Sequence, residues 1–361
     1  MNRVAIARCE NYEEESVASA LTEVLDASAF PDCRGKTILV KPNILSDSRP
    51  EAGITTHPAV VEALIRECFR RGAAKVYAGD SPGLHTPSFK GRHCGIAGVC
   101  EKTGAIWVDF TQNTRTFQLE GGVKVQLPAV LDEVDFTISA AKFKTHQLMY
   151  TTGTVKNMFG LMPGLTKSPT HLRYPSRSAF ASFINRLFKA AKVKYALLDA
   201  VIGMEGPGPA NGTLRYVGYL IGGQNAYLAD TAEAVIMGYE PEDIPILQNS
   251  GMTLKLHYSL LDAEDLVIKD FRKIEIEKPK GLFSSLVLPF LTRSHDREET
   301  KKRPAPQFEE DRCIHCLRCV QICPAKALVH DNVIRIDTDV CIRCYCCAEM
   351  CPADAIRVGE H

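Results

Sequence analysis

At 361 residues and 45% hydrophobic content, the chain has room for two or three domains with proper cores and is far too long for a bare electron carrier. Its 43 basic and 43 acidic residues balance, so net charge points to neither nucleic acid nor an anionic membrane as a partner. The opening MNRVAIARCENYEEE has no apolar run long enough for a signal peptide, and no stretch is long enough to span a bilayer, which makes the cytoplasm the expected location.

Taken in chain order, short β-branched runs alternate with amphipathic segments. The pattern predicts strands at Val4–Ala7, Thr37–Lys41 and Lys75–Ala78, with helices at Glu14–Ala27 and Pro58–Arg71 between them. Further strands are expected at Ile106–Phe110, Phe136–Ala140, Tyr195–Asp199 and Tyr216–Ile221, and helices at Ser178–Ala190 and Ala226–Met237. Thr116–Leu119 and Val123–Leu127 around Gly121-Gly122 read as a hairpin. This order means an α/β body over residues 1–290 with a largely parallel sheet. Residues 291–307, charged and proline-containing, read as an exposed connector to a small α+β domain at 308–361.

In such a sheet, ligands bind beyond the carboxyl ends of the strands. Lys41-Pro42-Asn43, Gly79-Asp80-Ser81 and Lys142-Phe143-Lys144-Thr145-His146 are expected at those ends. The following Thr151–Asn157 stretch, with Gly153 and Lys156, has the small residues and the lysine of an anion cradle, although it is not a P-loop and Lys156 could equally be a solvated lysine. Asp199 and Glu205 belong to a second glycine-rich loop running to Gly212. His57, just before Pro58, reads as a helix cap. Catalytic triad order, HExxH and GxGxxG after a strand are all absent, so a nicotinamide cofactor is not supported.

Nine of the fourteen cysteines lie after residue 312. Eight form two copies of one run, Cys313-x2-Cys316-x2-Cys319-x3-Cys323-Pro324 and Cys341-x2-Cys344-x2-Cys347-x3-Cys351-Pro352, the ligand pattern of a bacterial two-cluster ferredoxin. In that pattern the fourth ligand crosses over, so Cys313, Cys316, Cys319 and Cys351 are expected on one 4Fe–4S cluster, and Cys341, Cys344, Cys347 and Cys323 on the other. Residues 313–328 and 341–356 agree at eight of sixteen positions, which predicts two half-domains about a pseudo-twofold. Structural zinc prefers C-x2-C pairs across a longer spacer, and disulfides could not join so many close cysteines without strain. Cys346 has no place in the pattern and reads as a packing thiol, with a labile replacement ligand as the alternative. Cys9, Cys33, Cys68, Cys94 and Cys100 show no metal spacing.

The ordered set Lys41-Pro42-Asn43, Thr56-His57-Pro58, Gly79-Asp80-Ser81, Lys142-x-Lys144-Thr145-His146, Gly153-x-x-Lys156-Asn157-x-x-Gly160 and Asp199 through Gly212, followed by Asp230 and Gly238, resembles the family called domain of unknown function 362. It does so in the form fused to a C-terminal two-cluster ferredoxin. Gln224-Asn225-Ala226 depart from the acidic residue that family often carries before the equivalent of Asp230. The resemblance implies a fold and a site, and no substrate. The Gly153-to-Gly164 loop is also faintly similar to a loop of lactate racemase-like proteins, but their closely spaced histidines are missing and nickel is not assigned.

The function these features favour is an iron–sulfur oxidoreductase passing single electrons to a substrate or cofactor in the N-terminal cleft. Lys142, Lys144, His146 and Lys156 would bind an anionic small molecule there, and Asp80, Asp199 or Glu205 would handle protons or a metal. The partner would be a redox protein serving as electron donor or acceptor. A docking adaptor for a larger redox enzyme and a redox or oxygen sensor are the alternatives.

Overall fold

The described residues of the computed structural model, 3–83, 89–252, 257–276 and 299–359, build a nine-stranded sheet and, after it, a small cysteine-rich module. Strand β1 (Val4–Arg8) leads into α1 (Glu14–Ala27), β2 (Thr37–Pro42) into α2 (Pro58–Arg70), and β3 (Lys75–Asp80) into α3 (Ile96–Thr103) and β4 (Ile106–Asp109). The expected hairpin forms from β5 (Thr114–Gln118) and β6 (Lys124–Pro128), turning through Gly121 and Gly122 at positive φ. After α4 (Val130–Glu133) come β7 (Phe136–His146), β8 (Tyr150–Thr151), α5 (Thr154–Asn157), α6 (Lys167–Arg173) and α7 (Arg177–Ala190). The body closes with β9 (Val193–Glu205), β10 (Thr213–Gly223), α8 (Ala226–Ile236), α9 (Pro245–Gln248) and β11 (Tyr258–Leu260).

Strand order is β11-β1-β10-β9-β7-β2-β3-β4, with β8 folded back on β7. The sheet is mostly parallel; β10 alone in that path runs against its neighbours β1 and β9. Alternation sends Ile38 and Val40 of β2 to one face and Leu39 to the other. On the first face α1 buries Val17, Ala20, Leu21, Val24 and Leu25, a helical i, i+3, i+4 spacing, and α2 buries Val60, Val61, Leu64, Ile65 and Cys68. Helices α7 and α8 cover the second face. His57 caps α2, its Nδ1 accepting the amide of Ala59 at 3.2 Å ahead of Pro58 at the first turn. All five scattered cysteines are buried.

Two central strands outrun their sequence signals. The strand expected at 136–140 continues to His146, and that expected at 195–199 continues to Glu205. Lys142, Lys144, His146 and Asp199 therefore lie inside strands rather than in the loops after them. The charges are tolerated because Lys142 and Asp199 face each other across adjacent strands, Nζ to Oδ2 at 2.8 Å.

Of the expected connector at 291–307, residues 291–298 lie outside the described residues. Beyond them the chain is not wholly exposed: Arg303 is 1% accessible, and its guanidinium donates to the carbonyls of Pro175 in the body and Arg343 in the module. A guanidinium spends five donors in one place, which makes this charged residue an anchor. The module itself pairs β12 (Pro306–Phe308) with β15 (Ile356–Val358) and contains α10 (Arg318–Ile322), the hairpin β13 (Leu328–Asp331) and β14 (Val333–Ile336), and α11 (Cys346–Glu349).

Candidate functional site

Beyond the carboxyl ends of β2, β3 and β7, a cavity of about 100 Å³ lies between the body and the module. That is where an open α/β sheet presents its ligands. The body contributes Asn43 after β2, Asp80 and Ser81 at the end of β3, Lys144 and His146 from β7, Thr152, Lys156 and Asn157 around α5, and Lys167 and His171 from α6. The module supplies Ile322 from α10, Cys346 and Glu349 from α11, and Met350. Ser168 Oγ donates to the carbonyl of Ile322, and Asn211 Nδ2 to that of Ala348 at 3.2 Å, so the module is hydrogen-bonded onto the mouth of the sheet.

The cavity is electropositive. Lys41 is fully buried and paired with Asp80, Nζ to Oδ2 at 2.8 Å, and also donates to Asn157 Oδ1 at 2.9 Å. Among the described residues the Lys144 ammonium donates only to the carbonyl of Ile54, at 2.7 Å, and that of Lys167 to the carbonyl of Ser81. Lys156 has no hydrogen-bond or carboxylate partner among the described residues. Burial pulls Lys156 down to about 8, against the attraction of Glu349, and Lys167 to about 7, against that of Asp80. Burial, then the neighbouring Lys156 and Lys142, puts Lys144 well below the ordinary lysine range. His146 and His171 are held neutral, His171 at about 3, by burial first and Lys156 next. Thr152 Oγ1, Asn43 Oδ1 and His171 Nδ1 all lie on this cavity, buried and without a hydrogen-bond partner among the described residues. Native proteins pair such atoms, so polar groups left open on one cavity mark a place for a ligand.

The loop carrying Lys156 is fixed from behind. Asp230 on α8 accepts the amide and hydroxyl of Thr154 and, at 3.0 Å, the amide of Val155. Three residues on, Glu233 accepts the amide of Lys144 at 3.3 Å. Burial raises Asp230 to about 6 and Glu233 well above the carboxyl range. Gly153 sits at φ 60°, and a Cβ there would come within 2.6 Å of Asp230 Oδ2. At Gly160 a Cβ would meet Asp80 Oδ1 and Lys41 Nζ at 2.5 Å or less, so only glycine lets the 158–164 segment close on that ion pair.

Of the residues singled out in the sequence, Lys144, His146, Lys156 and Asp80 meet at the cavity. Lys142, Asp199 and Glu205 do not. Lys142 and Asp199 point to the α1–α2 face, where Tyr12 hydroxyl bridges them at 2.7 and 2.9 Å and its ring stacks on His57 at 3.6 Å. Asp199 also accepts the amide of His57, so this buried cluster stitches the starts of α1 and α2 to the sheet. Glu205 instead binds Arg272 at 2.9 Å. A one-residue view of "strand end" misplaced all three. Sequence reasoning does not single out Lys167 and His171, one turn apart on α6, or Glu349; the i, i+4 spacing of a lysine and a histidine just after Pro163-Gly164 is the available signal.

The module's cysteines converge in the two expected groups. Cys313, Cys316, Cys319 and Cys351 line one pocket. Cys319 is pushed up to about 11 by burial, then by Cys351 and Cys316, and Cys347 well above the thiol range by burial, then by Cys344, Cys341 and Cys323. Four thiols that repel one another's ionisation suit a polynuclear cation, which compensates them together. Amides point at the sulfurs in matched pairs: His315 to Cys313 and Arg343 to Cys341 (3.3 and 3.4 Å), Ala327 to Cys323 and Ala355 to Cys351 (both 3.2 Å). Left-handed non-glycine residues recur in the same register, His315 with Arg343, Leu317 with Tyr345, and Lys326 with Asp354. This thiol-rich donor set suits 4Fe–4S clusters.

Family models match both parts of the chain. Residues 38–234 match the family described as domain of unknown function (DUF362), and residues 305–352 match a 4Fe-4S dicluster domain. A thylakoid-associated protein of Synechocystis sp. is 24% identical over 286 residues, 76% of this chain and 89% of that protein. The lactate racemase apoprotein of Thermoanaerobacterium thermosaccharolyticum is similar over 64% of this chain at 14% identity and a TM-score of 0.38. A Thermotoga maritima protein is similar over 63% of this chain, also at 14% identity and a TM-score of 0.38. The matched parts span 57% and 59% of those two structures. Among the described residues no helix is long and apolar enough to cross a membrane.

Proposed function

Because this chain belongs to the domain of unknown function family DUF362 and carries a 4Fe-4S dicluster domain, we propose that it is a reductase acting on an anionic small molecule held between its two parts. The observation that carries this reading is the placement of α11. This helix contributes the cluster ligand Cys347, while its neighbours Cys346 and Glu349 form the cavity wall opposite the buried lysines. The clusters supply electrons one at a time, replenished by a one-electron carrier protein.

The chain's own residues do the rest. Lys144, Lys156 and Lys167 bind the anionic group, and the open Thr152 hydroxyl orients it. A two-electron reduction of the ligand consumes two protons. Lys156 and Lys167, at about 8 and about 7, hold ammonium protons that are released close to neutrality, and each carries its proton on Nζ at the cavity.

The test is anaerobic purification of the full chain, followed by mass spectrometry of whatever small molecule is released on denaturation. Adding that molecule back to dithionite-reduced protein should reoxidise the clusters, and Lys156→Met should slow reoxidation about tenfold or more without changing iron content. Reoxidation indifferent to every cavity substitution would sink the reading.

A further inference from the structure

We propose that the cavity is built for a two-faced ligand, with a dianionic head among Lys144, Lys156 and Lys167 and a flat apolar portion against Ile322, Cys346 and Met350. The placement of the apolar portion rests on the reductive reading above; the charge of the head does not.

The head follows from counting charge around the cavity. Lys41 is cancelled by Asp80 at 2.8 Å. Among the described residues, Lys144 and Lys167 reach only backbone carbonyls, Lys156 has no hydrogen-bond or carboxylate partner, and Glu349 is the one other carboxylate on the lining. His146 Nδ1 accepts the amides of Leu148 and Met149, so that ring is neutral and adds no charge. When all three lysines are protonated they exceed the Glu349 carboxylate by two charges, which burial disfavours in the empty cavity and a dianionic ligand would stabilise. A monoanion would leave one of them unpaired. Three lysine amines and the Thr152 hydroxyl suit the several acceptor oxygens of a phosphate-like group.

The module's wall differs chemically. Ile322, Cys346 and Met350 bring no cation to the cavity, and Phe159 also lines it from the body. A thioether and a thiol are soft, polarisable surfaces that favour the face of a planar unsaturated group. A ligand lying this way has its charged end on the body and its conjugated end nearest the cluster ligands.

Isothermal titration of anaerobically purified full chain with phenyl phosphate, inorganic phosphate and phenol tests the proposal. Phenyl phosphate should bind about tenfold or more tightly than either fragment. Lys156→Met with Lys167→Met should weaken both phosphates about tenfold or more, and Met350→Gln should weaken phenyl phosphate alone, with iron content confirming that each variant is loaded. Phosphate binding that ignores the lysine substitutions would overturn the dianionic head, and phenyl phosphate no tighter than phosphate would overturn the apolar face. If the pattern holds but the natural ligand leaves the reduced clusters unoxidised, reduction fails as the function while the ligand class stands.

Discussion

His146 Nε2, at the end of the central strand β7, lies 3.3 Å from Glu349 Oε1 on α11, so an imidazole of the body meets a carboxylate of the iron–sulfur module. Because Nδ1 already accepts two amides, Nε2 is the nitrogen that carries the proton. His146→Ala should cost about 1–3 kcal/mol at the seam. Limited proteolysis between body and module should accelerate while iron content stays unchanged.

Serine substitution separates the two clusters. Cys351→Ser should disrupt the group formed with Cys313, Cys316 and Cys319, although it lies in the second sequence repeat, whereas Cys346→Ser should keep about eight irons per chain. Iron and sulfide analysis with EPR of the reduced protein reads both outcomes. Loss of the Cys341 group in Cys351→Ser would contradict the crossed assignment.

Lys41 and Asp80 form a pair in which both side chains are almost fully buried. Lys41→Met leaves the carboxylate with the amides of Ile44 and Ser81 but without its counter-ion in a low-dielectric site, a loss of about 3–5 kcal/mol. Thermal unfolding should show a large drop, and Asp80→Asn in the Lys41→Met background should recover part of it. Recovery would show that the stranded charge, rather than lost packing, is the cause.

Lys167 gives the ligand-free protein a definite pH signature. Its ammonium is lowered to about 7 from an ordinary 10.5, so between those values the unfolded chain binds more protons than the folded one. Stability should therefore rise as pH increases from about 7 toward 10, and the gain should shrink in Lys167→Met. Melting temperatures of wild type and variant measured across that range check the slope.

Gly153→Ala should destabilise by about 1–3 kcal/mol through its φ of 60° alone, and its Cβ would also press on Asp230. Ligand affinity should fall with it, because Asp230 holds the turn that presents Lys156. Calorimetric binding alongside thermal melts distinguishes this from a purely global loss.

Most of the architecture was legible in the residues. The apolar spacing of Glu14–Ala27 places α1 at the predicted bounds, and the doubled cysteine run announces its clusters because ligand spacing is covalent and local. The lengths of β7 and β9 were not legible. Lysines and an aspartate look like loop residues until the fold sets Lys142 opposite Asp199, a pairing that depends on neighbouring strands and not on either segment. The same limit divided the candidate site. Lys144 and Lys156 reach the cavity, while Lys142, two residues from Lys144, serves the α1–α2 face. Lys167 and His171 become site residues only because α6 folds over the mouth of β3, and Glu349 because the module docks there.

The left-handed residues at His315, Leu317 and Lys326, and at Arg343, Tyr345 and Asp354, carry a further consequence. Each holds a conformation that costs a side-chain-bearing residue on the order of 1 kcal/mol, and the eight thiols they gather repel one another when ionised. Metal–thiolate bonding is the compensation available to so short a module, so its folding and its iron are acquired together. The wall that α11 lends to the cavity is then absent from a chain that has not received its iron. Under the proposed function, a chain without iron would therefore lack both the electrons for its ligand and the wall that encloses it.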